Sequence, residues 1–406
     1  MIRIFLNGLA ASSGSGLTYL HNVVPHLSAL PNVRTILAVQ PALKDNFENF
    51  PGVTLICPPE TLTTLRRFWF EQRRLPDLIR KSQADVLISA GNFALKNSPV
   101  PQILLSGNSL YTSADFRRDL RSRGEYAMLA DNFYKGMLAK KSVRWADLTI
   151  TPSEAFASEL RRWTSKSVLA LHHGFDGATF FADSRPLSRE MEKEFEESGA
   201  CLRLLFVSHY NYYRNFETLI RALPLICEKL KSKKVKLLLT CKLKRGANPG
   251  AYDATDARRL VQKLGVSEHV VELGAVPYAC IHQLYRRCHI YVTPAYAETF
   301  AHPLVEAMAC GLPVVASDIP VHREVCGEAA RYFQCFSVAA LADTVANIAQ
   351  SADLNSQLVA AGRERSAQFS WAGHVQHLLS QISVVSMHSQ PATPQTHLHV
   401  GRTSFP

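Results

Sequence analysis

Residues 291–325, YVTPAYAETFAHPLVEAMACGLPVVASDIPVHREV, parse into strand, loop, helix, turn and strand. His289–Thr293 is a short, mostly apolar and β-branched run that stops at Pro294, and Ala295–His302 is a loop. Pro303 suits the first helical position and Gly311 the position just past a helix end, so Leu304–Cys310 is predicted as a two-turn helix. Pro313–Ser317 reads as the next buried strand. Glu298 then sits in the loop and Glu306 on the first turn of the helix, with seven residues between them. A helix N-terminus attracts anions through its free N–H groups and its dipole. A carboxylate projecting into a cleft beside it can accept two hydrogen bonds from a vicinal diol. The layout suits a sugar nucleotide, with phosphates on the helix end, ribose on Glu306 and the sugar near Glu298. Two glutamates at one spacing would otherwise be ordinary surface residues around a strand–helix turn.

The string around them removes that ambiguity. Pro294, Glu298, Phe300, Pro303, Glu306, Ala307, Gly311, Pro313, Val314 and Ala316 fit the E-x7-E signature of the family-4 retaining glycosyltransferases, which this chain resembles over roughly residues 2–385. The resemblance implies a GT-B fold: two Rossmann-like doubly wound α/β domains facing each other across a cleft. It also implies a nucleoside-diphosphate hexose (UDP- or GDP-linked) as donor, and a polysaccharide, oligosaccharide or lipid-linked acceptor.

The rest of the chain agrees with an α/β reading. Apolar strand patterns alternate with helical ones throughout, the sign of βαβ units and parallel sheets. Ile2–Asn7, Arg34–Val39, Val86–Ser89, Gln102–Ser106 and Leu148–Thr151 read as strands in the first half. Arg203–Val207, Val235–Thr240, Val270–Leu273, His289–Thr293 and Pro313–Ser317 do so in the second. Residues 1–185 are read as an acceptor-binding domain and 186–370 as a nucleotide-sugar-binding domain. The boundary is set in Ser184–Gly199, a charged stretch with little apolar periodicity. Trp371 to Val385 is a last helix, which the resemblance implies crosses back onto the first domain. The polar, patternless residues 387–406 are expected to be disordered.

Composition bounds the function. The 406 residues are long enough for two domains, and 47% hydrophobic with 19% charged residues is a globular balance. No apolar run is long enough to span a bilayer, and the N-terminus lacks the pattern of a signal peptide, so a cytoplasmic protein is expected. Nine cysteines without metal or disulfide spacing point to reduced thiols. No Asp-x-Asp cluster is present to hold a diphosphate through a metal, so neither a metal nor another cofactor is expected. The net charge is +11, and residues 1–185 carry +7 of it. There is no zinc finger, aromatic RNA-binding pair or Lys/Arg block, which argues against nucleic acid. A basic surface instead suits an anionic membrane or a phosphorylated acceptor. Arg66, Arg67, Arg73, Arg74, Arg80 and Lys81 lie beside Phe68, Trp69 and Phe70 in a helical stretch, Leu65–Lys81, with a break expected near Pro76. Arg117, Arg118, Arg121 and Arg123 form a second basic cluster, placed near the acceptor cleft; a solvated helix face is the plainer reading of both clusters.

Other site residues follow from local patterns and from the resemblance. Gly8 to Gly16 follows the first strand and opens the first helix, and Gly14 and Gly16 let the backbone approach a ligand closely. The resemblance implies that this loop faces the donor diphosphate and the acceptor. It also implies that Arg214 meets the diphosphate, that Val276 holds the nucleobase through its backbone, and that Phe300 and Ala301 belong to the donor site. A guanidinium fork suits phosphate. Ser208-His209 stands where relatives often carry Gly-Arg, which makes His209 a candidate second contact. Relatives often place a histidine after the strand matching Gln102–Ser106; this chain has Gly107-Asn108, and Asn108 can bond a sugar hydroxyl but cannot take a proton. Catalysis is therefore assigned to Glu298, Arg214 and Asn108. Two rival readings remain: a sugar-nucleotide epimerase of the same architecture, and a non-catalytic glycosyltransferase-like subunit.

Overall fold

The alternation of apolar runs resolves into two wholly parallel sheets, seen in a computed structural model that describes residues 1–11, 14–183, 185–231, 233–248, 250 and 252–388. The expected disordered tail lies outside the described residues from 389 onward. The first sheet has seven strands: β1 (Ile2–Asn7), β2 (Val33–Ala38), β3 (Val53–Ile56), β4 (Val86–Ser89), β5 (Gln102–Leu105), β6 (Leu148–Thr151) and β7 (Leu169–Ala170). Their order is β3-β2-β1-β4-β5-β6-β7. The second sheet has six: β8 (Cys201–Phe206), β9 (Lys234–Leu239), β10 (Val270–Glu272), β11 (Ile290–Thr293), β12 (Val314–Ser317) and β13 (Ala330–Phe333), ordered β10-β9-β8-β11-β12-β13. Both orders reverse direction beside their first strand, between β1 and β4 and between β8 and β11. In such sheets ligands bind beyond the carboxyl ends of the strands at that reversal.

Five helices of the first half matter below: α1 (Gly14–Ser28), α2 (Thr64–Arg73), α3 (Leu75–Lys81), α4 (Ala114–Ser122) and α5 (Tyr126–Trp145). The break expected near Pro76 is real, since α2 ends at Arg73 and α3 restarts at Leu75. The stretch read as a patternless boundary is partly a helix, Arg189–Ser198. Ser188 caps it by accepting from Met191 N, and Leu187, Met191 and Phe195 bury one face at a spacing of four. The surrounding charges hid that period. The last helix, Trp371–His388, lays Trp371, Val375, Leu378, Ile382 and Val385 into the core beside β1 and α1, which joins the chain's end to the first domain.

Candidate functional site

The carboxyl ends of β8 and β11 place two charged side chains together. β8 runs into a loop that closes as a 3-10 turn, Tyr212–Arg214, and β11 runs into the loop that carries Glu298. Arg214 and Glu298 form an ion pair, both largely shielded from solvent. The loops are also joined directly: Tyr296 N donates to Tyr213 O over 3.0 Å, and Asn215 Nδ2 to Pro294 O over 3.1 Å. Asn215 takes the left-handed region, φ 56°, which lets the turn pass straight into the helix Phe216–Lys229. His209 lies on the same loop with one side open to solvent; the burial of the other side and then the nearby Arg214 charge hold its imidazole below the usual range.

The helix after Glu298 begins two residues earlier than the sequence reading, at His302, with Ala301 in the left-handed region at φ 64°. That shift moves Glu306 from the first turn to the second, so its carboxylate does not stand free at the helix end. It is buried, 5% exposed, and Tyr285 donates to its Oε2 over 2.8 Å while Tyr278 reaches it from the rim. Burial raises the carboxyl to about 7, and the two tyrosine hydroxyls only partly offset this. Glu306 is thus a tyrosine-caged group that a diol would have to share or displace. Val276 lies half-buried against the same core, just after Gly274 turns the chain at φ 82°.

The first sheet contributes a cavity of about 350 Å³ beyond the ends of β1 and β4. Its walls include Ala11 and Gly16 from the glycine-rich segment, Gly91, Gly107, Arg67 and His173. Gly14 opens α1 at φ 63° but does not line the cavity. Thr299 Oγ1 reaches Gly107 O at 3.5 Å, so the Glu298 loop touches the cavity's lip. Asn108 is engaged locally, since its Oδ1 accepts from Leu110 N over 3.0 Å and caps the next turn. Arg67, read as part of a basic outer face, points inward beside the buried Glu71. Only the far side of α2 fits that reading, with Leu65 and Trp69 exposed and Arg73 stacked 4.6 Å from the Trp69 ring. The Arg117–Arg123 cluster, unlike Arg67, does not line the cavity. Arg118 pairs with Asp115, Arg117 donates to the Thr112 carbonyl just before α4, and Arg123 bridges to the second domain.

Behind the cavity stands a cluster of rings that the sequence reading missed. His173 Nδ1 lies 3.1 Å from His302 Nε2, and Phe300 packs 5.4 Å from the His173 ring. His374 Nδ1 donates to His172 O over 2.8 Å, leaving Nε2 to accept from Tyr19 Oη at 3.1 Å. Burial first, then neighbouring histidines, drives His173 far below its usual range and His302 to about 4. Burial brings His374 to about 4 against a backbone carbonyl's pull. Gly174 follows at the point of closest approach: a Cβ there would overlap the Trp371 backbone. The histidines lie far apart in sequence, at 173, 302 and 374, so no local pattern announces them. Among the described residues no group of three or more His, Cys, Asp or Glu stands close enough to hold a metal ion, and no helix is long and apolar enough to cross a membrane.

Residues 189–365 match the family described as glycosyl transferases group 1. A phosphatidyl-myo-inositol mannosyltransferase of Mycobacterium leprae is 33% identical over 173 residues, which is 42% of this chain and 43% of that protein. The chain spans under half the length of the curated relatives it matches first. Among solved structures, a sucrose-phosphate synthase from Thermosynechococcus elongatus superposes with a TM-score of 0.72 at 17% identity, covering 96% of this chain and all 100% of that one. Anabaena HepE in complex with UDP gives 0.70 at 17% identity over 95% and 100%. These likenesses establish the fold, the two-domain GT-B arrangement.

Proposed function

We propose, on the premise that residues 189–365 belong to the glycosyl transferases group 1 family, that this chain transfers a hexose from a nucleoside-diphosphate sugar to a glycan or lipid-linked acceptor. The observation that carries the reading is the Arg214–Glu298 pair at the strand-order reversal of the second sheet, inside the matched segment. Arg214 exchanges its carboxylate partner for the donor diphosphate, and Glu298, released, accepts from hydroxyls of the transferred sugar. Glu306 and its two tyrosines meet the ribose, and the Val276 backbone meets the base. HepE, solved with UDP, makes a uridine nucleotide the first donor to try.

The first-domain cavity takes the acceptor, at the lip that Thr299 touches. We read the transfer as retaining and metal-independent. The bond from the anomeric carbon to the leaving phosphate oxygen breaks, the acceptor oxygen bonds the same face, and its proton passes to that phosphate oxygen. Arg214 stabilises the departing charge electrostatically, and the enclosed cleft holds the reactants in register. The +7 excess of residues 1–185, with Leu65 and Trp69 outward beside Arg66 and Arg73, favours transient contact with an anionic membrane at the cytoplasmic face.

A thermal-shift screen across nucleoside-diphosphate sugars tests the donor half, since a ligand at about 100-fold its Kd stabilises by about 2.7 kcal/mol. Incubation with donor alone separates transfer from epimerisation, and NMR of the product's anomeric centre reads retention. EDTA should leave turnover intact; silencing that Mn²⁺ or Mg²⁺ reverses would overturn the metal-independent part.

A further inference from the structure

α4 belongs to the first domain by sequence and to the second by packing. Phe116 and Leu120, 2% and 0% exposed, sit in one core with Tyr210, Tyr212 and Phe216 of the second domain. Three hydrogen-bonded links follow along the same segment. Asp119 Oδ2 accepts from Tyr296 Oη over 2.7 Å, two residues before Glu298. Arg123 donates through Nε to Asp119 Oδ1 over 2.7 Å and pairs through Nη2 with Glu217 at 3.0 Å, while its guanidinium lies 4.2 Å from the centre of the Tyr212 ring. Glu125 Oε1 accepts from Tyr212 Oη over 2.7 Å. Tyr212 is the first residue of the turn that ends at Arg214.

The geometry points to Arg123 as a positioning residue for the donor phosphates. It touches neither Glu298 nor Arg214, yet it fixes the two loops that present them, one through Tyr212 and one through Asp119 and Tyr296. A planar fork that stacks on a ring and bridges two carboxylates cannot be copied by an ammonium group. The first domain thereby sets the aim of a site built on the second. This rests on the proposal that the cleft binds a nucleoside-diphosphate sugar.

The test compares the full-length parent with Arg123→Met, Arg123→Lys and Tyr296→Phe, titrated calorimetrically with UDP, GDP and the matching free nucleosides. Whichever nucleotide the parent binds is then used throughout. Positioning through Arg214 predicts that Arg123→Met loses roughly tenfold or more in diphosphate affinity while nucleoside affinity holds, with Arg123→Lys recovering only part. Tyr296→Phe removes a single hydroxyl and should show a smaller loss of the same selective kind, so the test survives if Arg123→Met does not fold. An equal loss for diphosphate and nucleoside, or full recovery with lysine, would reduce Arg123 to a structural tie. A parent that binds neither diphosphate overturns the donor reading itself, and this inference with it.

Discussion

Two of the places where the domains meet are built from opposite chemistries. At α4 charges ring a contact whose apolar anchors are Phe116 and Leu120: Arg123 lies between Asp119 and Glu217, with tyrosine hydroxyls donating to the carboxylates. Behind the cavity it is made of rings: His173, His302 and His374 packed with Tyr19, Phe300 and Trp371. Ion pairs bind by attraction that salt screens, least where they are shielded. The ring cluster holds only while its imidazoles stay neutral, so it answers to pH. Glu306, on the helix that His302 begins, shifts the other way, so the two oppose each other in acid.

The largest expected effect exposes that balance. A histidine near 4 in the folded chain and near 6.5 unfolded contributes stability that is complete above 6.5 and lost as pH falls toward 4. His302 and His374 together lose up to about 5 kcal/mol between pH 7 and 4.5. Glu306, near 7 folded and 4.5 unfolded, works oppositely, because the folded chain holds its proton more tightly and gains stability over the same descent. The parent should therefore lose about 2.5 kcal/mol less than Glu306→Gln does, by denaturant unfolding across that range. Equal acid sensitivity in both would break the comparison.

The same variant sharpens the functional side. Above pH 7, where the carboxyl is ionised, Glu306→Gln trades a charged acceptor for an amide with one acceptor oxygen, so donor affinity should fall by about 1.5–3 kcal/mol, roughly ten- to more than a hundredfold. Calorimetric titration with the donor reads it; affinity equal to the parent's would remove Glu306 from the ribose site. A matched pair of deletions then contrasts the two contacts. Tyr296→Phe removes a hydroxyl bonded to a carboxylate and should cost about 1.5–3 kcal/mol, whereas Tyr19→Phe removes one bonded to a neutral imidazole and should cost about 1 kcal/mol. Unfolding midpoints in the reverse order would show that the charges at α4 contribute less than the geometry implies. The smallest effect is a gain: Ala301 holds φ 64°, so Ala301→Gly should stabilise by about 0.5–1 kcal/mol, read as a rise in Tm.

What the sequence disclosed divides along the same line. Strands β4 and β6 and the Glu298 loop were legible because their signals are local: β-branched runs, a proline, a glycine. Glu298 stood in the E-x7-E string at residues 294–316, and Arg214 was placed by the resemblance that string carries. The tyrosine cage of Glu306 was not legible, because Tyr285 lies 21 residues away and the helix start depended on Ala301 accepting a left-handed backbone. Arg123 read as one of four arginines on a polar helix, since its partner Glu217 lies on another domain and no period encodes that distance. Met191 and Phe195 were in plain view at helical spacing, but eight neighbouring charges masked a two-residue stripe.

The seating of Phe116 and Leu120 in the second domain's core bears on how this protein can be recombined. Anyone exchanging the second domain for that of another protein would cut near residue 186 and carry 186–370 across. That cut leaves behind two buried side chains and transplants a core with a hole where they stood, beside Tyr213, whose ring packs against Phe116. The second domain as a packed unit is discontinuous: it includes the α4 segment from Ala114 to Glu125, and a chimera that respects the fold must graft both pieces together.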